Sequence, residues 1–68
     1  MNGKVKNVKI TTGQVMFDAP NGKQYFVKKE GVFCNVYEWH ENWIWKYITS
    51  LKIEDKVTAQ KVWEKLQI

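Results

Sequence analysis

Residues 32–53, VFCNVYEWHENWIWKYITSLKI, hold three of the four tryptophans and two of the three tyrosines, and the way they are read decides the fold. Two templates compete for this stretch. Asn35, with Glu38 three residues on, has the spacing of a capping box in which asparagine serves as the cap. Wound as a helix, Val36, Tyr37, His40, Trp43, Ile44, Tyr47, Ile48 and Leu51 fall on one side. Glu38, Glu41, Asn42, Trp45, Lys46, Thr49 and Lys52 fall on the other. The rival is a hairpin of 32–39 and 44–53 turning at 40–42, which the aromatic and β-branched content favours. Residues 44–51 lack a clean period of two, so the spacing predicts an amphipathic helix over 35–52.

Upstream the pattern is strand-like. Thr12-Gly13, Pro20-Asn21-Gly22 and Glu30-Gly31 punctuate β-rich runs at 5–11, 14–19 and 23–29. A two-residue turn at Asn21-Gly22 would set Phe17 opposite Phe26 and Met16 opposite Val27. One at Thr12-Gly13 would set Ile10 opposite Val15, Lys9 opposite Met16 and Val8 opposite Phe17. Alternation then gives a core face of Val8, Ile10, Val15, Phe17, Ala19 and Phe26. The wet face holds Asn7, Lys9, Thr11, Gln14, Met16, Asp18, Lys23, Tyr25, Val27 and Lys29.

Downstream, Ala59, Val62, Trp63 and Leu66 share one side of a C-terminal helix over 55–67, capped by Asp55 or Thr58. The expected fold is thus α+β. A three-stranded antiparallel meander (1–31) packs on two helices, within a single domain spanning 1–68. The alternative is a small five-stranded SH3-like barrel with a C-terminal helix. The expected core is Val8, Ile10, Val15, Phe17, Phe26, Ile44, Tyr47, Ile48, Leu51, Val62, Trp63 and Leu66.

Charge divides along the same line. Residues 1–29 carry six lysines against Asp18, and residues 30–68 carry five lysines against six acids. The chain has no arginine, so no bidentate guanidinium fork is available for guanine or phosphate. A positive sheet backed by near-neutral helices points to an anionic partner. On this reading Lys9, Lys23 and Lys29 hold phosphates, Tyr25 and Asn7 reach bases or sugars, and Lys4, Lys6 and Lys28 extend the rim. The function expected is nucleic-acid binding with little base specificity. The alternative is a small protein-binding inhibitor or adaptor of the kind phages and mobile elements encode. It would bind an acidic partner through Trp45 and Trp39 or through a sheet edge.

The residues needed for chemistry are sparse. His40 is the only histidine, Cys34 the only cysteine and Ser50 the only serine. A zinc site needs four ligands at suitable spacing, and a nucleophile needs an adjacent base with an orienting acid. The four glycines fall at turn spacing rather than in a phosphate loop. The expectation is therefore no enzyme, no cofactor, no metal and no small-molecule substrate. A lone cysteine, a start (MNGKVKNVK) without an apolar run after its charges, and no membrane-length apolar run suggest a cytoplasmic chain that does not meet membrane.

Overall fold

The structure, a computed structural model, describes residues 3–40 and 44–67. Five strands and one helix follow in chain order: β1 (Lys6–Thr11), β2 (Gln14–Asp18), β3 (Gln24–Glu30), β4 (Phe33–His40), β5 (Ile44–Lys52) and α1 (Ala59–Leu66). The strands form one antiparallel sheet in sequential order, each paired with the next. This overturns the expected three strands on two helices, because the predicted helix over 35–52 is the β4–β5 hairpin. The five-stranded alternative with a terminal helix is compatible with the architecture observed.

A bulge accounts for the misleading period. Val36 pairs with Thr49 but Tyr37 pairs with Tyr47, so Ile48 is an extra residue in β5. One inserted residue breaks the alternation of two, and Ile44-Trp45…Tyr47-Ile48…Leu51 then mimics helical spacing. Glu41, Asn42 and Trp43, which the helical reading also assigned to faces, lie outside the described residues.

The second hairpin has a register one residue away from the expected one. Phe17 pairs with Tyr25 and Met16 with Phe26, rather than with Phe26 and Val27. Proline decides this. A two-residue type I′ turn needs positive φ at both Asn21 and Gly22, but only Gly22 has it, at +86°. Pro20 instead takes the position it favours in a turn closed by Gly22 N–H donating to Ala19 O at 3.0 Å. Ala19 N–H then donates to Lys23 O at 2.9 Å, giving a three-residue loop with glycine in the left-handed position. The one-residue slip turns all of β3 over, so Tyr25 and Val27 are in the core and Phe26 is on the outside.

The first hairpin keeps its expected register at Lys9↔Met16 and Ile10↔Val15. It then shifts between Lys6 and Lys9, where Asn7 has φ +51° and donates from Nδ2 to Asp18 Oδ2 at 2.7 Å. The expected Val8–Phe17 pair is therefore not made.

The core lies on one side of the sheet. Val15, Phe17, Tyr25, Val27, Cys34 and Val36 meet Ile53, Ala59, Val62 and Trp63. Phe17 stacks on Tyr25 with ring centroids 5.6 Å apart, and Tyr25 meets Trp63 at 6.0 Å. Thr58 caps α1, its Oγ1 accepting from Lys61 N–H at 3.1 Å. The start of the chain is tied to the same helix, with Val5 N–H donating to Gln60 Oε1 and Gln60 Nε2 donating to Gly3 O, both at 2.9 Å. Of the expected core, Val15, Phe17, Val62 and Trp63 are buried, and Leu51 and Leu66 pack at its margin. Val8, Ile10, Ile44, Tyr47 and Ile48 are exposed, and Phe26 is only half-buried. Among the described residues, α1 covers one face of the sheet and no helix lies on the other.

Candidate functional site

The open face can be read directly from strand register, because residues opposite one another across an antiparallel sheet share a face. Lys9, Met16, Phe26, Tyr37 and Tyr47 pair in turn and form one row crossing all five strands. Beside it runs a polar row: Thr11, Gln14, Lys28, Asn35 and Ser50. On the other flank Trp39 pairs with Trp45, and at the far end Phe33 pairs with Lys52.

The rings form one connected cluster. Centroid distances are 5.7 Å for Phe26–Tyr37, 5.6 Å for Phe26–Trp45, 5.7 Å for Tyr37–Tyr47 and 5.0 Å for Trp39–Trp45. Each contact is tilted or edge-on, the geometry that ring quadrupoles favour. Phe26, Tyr37, Trp39 and Trp45 are half-buried, while Tyr47 is 53% exposed. Among the described residues, five clustered rings on the face that α1 does not cover form an apolar patch of the kind that marks a binding surface.

A hydrogen-bonded chain fixes the patch's polar border. Asn35 Nδ2 donates to Glu30 Oε1 at 2.6 Å, Ser50 Oγ donates to Asn35 Oδ1 at 2.6 Å, and the Tyr47 and Ser50 hydroxyls are bonded at 2.7 Å. The face also carries Lys6, Lys9, Lys28 and Lys52, against Asp18 and Glu30. Lys9 and Lys28 form no ion pair among the described residues. Lys52 meets Glu54 at 3.5 Å, an exposed pair that holds it weakly.

The sequence-predicted nucleic-acid residues are not brought together. Lys9 is on the open face. Tyr25 is in the core, its hydroxyl donating to Glu38 Oε2 at 3.4 Å and accepting from Asn21 Nδ2 at 3.1 Å. Lys23 is on the helix side, 3.3 Å from Glu38 Oε2. Lys29 is also on the helix side, opposite Cys34. Asn7 is spent on Asp18 at the β1 bulge. The two tryptophans named for a protein partner, Trp39 and Trp45, both belong to the ring cluster. Sequence reading missed Phe26, Tyr37, Tyr47 and Lys52, and it placed Lys28 only at the rim of the basic face. A usable signal was present in Tyr37-x-Trp39 and Trp45-x-Tyr47, aromatic pairs at strand spacing on either side of residues 40–44.

The chemistry-bearing residues are placed otherwise. His40 Nε2 lies 3.2 Å from Glu38 Oε1 on the helix side. Cys34 is fully buried, and burial pushes its thiol above the ordinary range, with Lys29 pulling partly the other way. Among the described residues, no three of His, Cys, Asp and Glu cluster in a way that could hold a metal ion. No described helix is long and apolar enough to cross a membrane. Comparison with protein-family models, with curated proteins and with solved structures finds no match to this chain.

Proposed function

We propose that this chain is a non-enzymatic binding module that holds single-stranded nucleic acid on the open face of its sheet. Unpaired bases stack on the Phe26–Tyr37–Tyr47 row and on the Trp39–Trp45 pair, while Lys9, Lys28 and Lys52 meet phosphates. The observation that carries this reading is the row itself: a lysine and three rings in register across the sheet, beside a second row with its own lysine. Stacking on ring faces is tolerant of sequence, and no arginine is present to fork onto guanine, so little base specificity follows. Duplex is the poorer ligand because its bases are already stacked. The buried, unpaired thiol of Cys34 fits a reducing compartment, and a cytoplasmic setting is part of this reading.

A protein partner seated on Trp39 and Trp45 is the competing use of the same rings. The lysines along the face favour the polyanion. Titrating intrinsic tryptophan fluorescence with a short single strand and with a duplex of equal length tests this directly. Quenching by the single strand at lower concentration than by the duplex is expected. No quenching by either at low salt removes nucleic acid and leaves the rings to a protein surface.

A further inference from the structure

We infer that the free edge of β1 is a second docking site, one that accepts an extended acidic peptide as a sixth strand. It borders the open face and shares Lys9 with it, while its backbone edge, Ile10 and the groove beside Val57 lie outside that face.

β1 ends the sheet, paired with β2 alone, and all six of its residues are exposed. Ile10 is the most exposed of the large apolar residues described, at 71%, on the same face as the core. The cover formed by α1 and the segment before it stops short of β1. Between Ile10 and Val57 it leaves a groove of about 260 Å³ floored by Val15 and Val27. Lys29 and Lys56 stand at this groove, and neither has an ion pair among the described residues. An edge strand offers unpaired backbone groups, and a neighbouring groove gives an added strand a place for one apolar side chain.

Charge selects the occupant. Neither edge strand contains an acid: β1 (KNVKIT) and β5 (IWKYITSLK) carry two lysines each. Pairing β1 of one copy with β1 or β5 of another brings four lysines and no acid together, which disfavours self-assembly. An acidic strand reverses that penalty. Its alternate residues would place carboxylates by Lys9 on one face. On the other they would place an apolar side chain over Ile10, with Lys29 and Lys56 at hand. Register is unbroken over Lys9, Ile10 and Thr11 and shifts beyond them, so the contact is short.

The test is an amide-resolved NMR titration of the isotope-labelled chain with a synthetic peptide alternating glutamate and valine. Controls are the same peptide with a central proline and with lysine in place of glutamate. Slowed exchange and shifts confined to β1 amides and the Lys29–Lys56 groove support the site, provided both controls fail to bind. Ile10 is exposed, so Ile10→Gln keeps the fold, and it should weaken the peptide by about tenfold through the lost apolar contact. Tyr47→Ala should leave peptide binding unchanged, which separates this site from the open face. Equal binding by the proline peptide, shifts at β5 instead, a dimer by sedimentation, or β1 shifts with oligonucleotide but not peptide would each overturn the assignment.

Discussion

Replacing Tyr47 with alanine separates folding from binding. The ring is 53% exposed, meets Tyr37 edge-on at 5.7 Å and bonds through its hydroxyl to Ser50 at 2.7 Å. Folding therefore loses one aromatic pair, worth about 0.5–1.5 kcal/mol, and an exposed hydrogen bond worth less. A domain of this length is stable by roughly 3–10 kcal/mol, so the variant stays folded. Binding loses one stacking platform. At about 1–3 kcal/mol per base, that is roughly a 5- to 150-fold rise in Kd. Fluorescence anisotropy with a labelled single strand measures the rise, and a thermal melt run in parallel confirms the fold. Tyr47→Phe keeps the ring and loses only the hydroxyl, so its Kd should stay within about twofold of the parent. A folded Tyr47→Ala protein with unchanged Kd would refute stacking at this position. A Tyr47→Phe loss equal to the alanine loss would assign the contact to the hydroxyl instead.

Two further predictions concern the core. Phe17 is fully buried and stacked on Tyr25, so Phe17→Ala should cost about 3–5 kcal/mol, most of the total stability. A calorimetric melt should show the transition lowered by well over 10 °C or lost, and a drop under about 10 °C would mean that the core reorganises around the gap. Cys34 should resist thiol reagents while the chain is folded and react on unfolding. Its raised folded value means the unfolded thiol ionises first as pH rises. The stabilisation from this thiol is therefore full at neutral pH and is lost as pH climbs through the alkaline range toward the folded value. Urea midpoints that do not fall between neutral and alkaline pH would contradict this, when compared with those of Cys34→Ala.

Much of the fold was legible locally. Thr12-Gly13 and Pro20-Asn21-Gly22 lie between the strands they were expected to separate, Glu30-Gly31 leads into β4 rather than into the expected helix, and the first hairpin's register near Thr12-Gly13 is as expected from sequence. The C-terminal helix is shorter than expected, beginning after Thr58, one of the two caps considered. Two single-residue effects hid the remainder. Pro20 outcompeted the Asn-Gly signal and shifted one hairpin by one position, exchanging Tyr25 and Phe26 between core and surface. Ile48 bulged and gave β5 the spacing of a helix. The candidate site suffered most, because a face is defined by register and a one-residue slip exchanges its members wholesale. A further cause is that β4 and β5 carry apolar residues on both faces, one set for the core and one for the ring cluster. No polar face then marks the strand period.

The salt dependence of single-strand binding tests the proposed interface most directly. Of the lysines on the open face, Lys6 stands opposite Asp18, while Lys9, Lys28 and Lys52 give about three phosphate contacts, each contributing about −0.7 to the slope of log K against log salt. The expected slope is about −2, a roughly twentyfold loss of affinity between 50 and 200 mM salt. Reversing Lys9 and Lys28 to glutamate should flatten it to near zero with the fold intact. Absence of single-strand binding at low salt, or an affinity indifferent to salt and to those two substitutions, would contradict a nucleic-acid face.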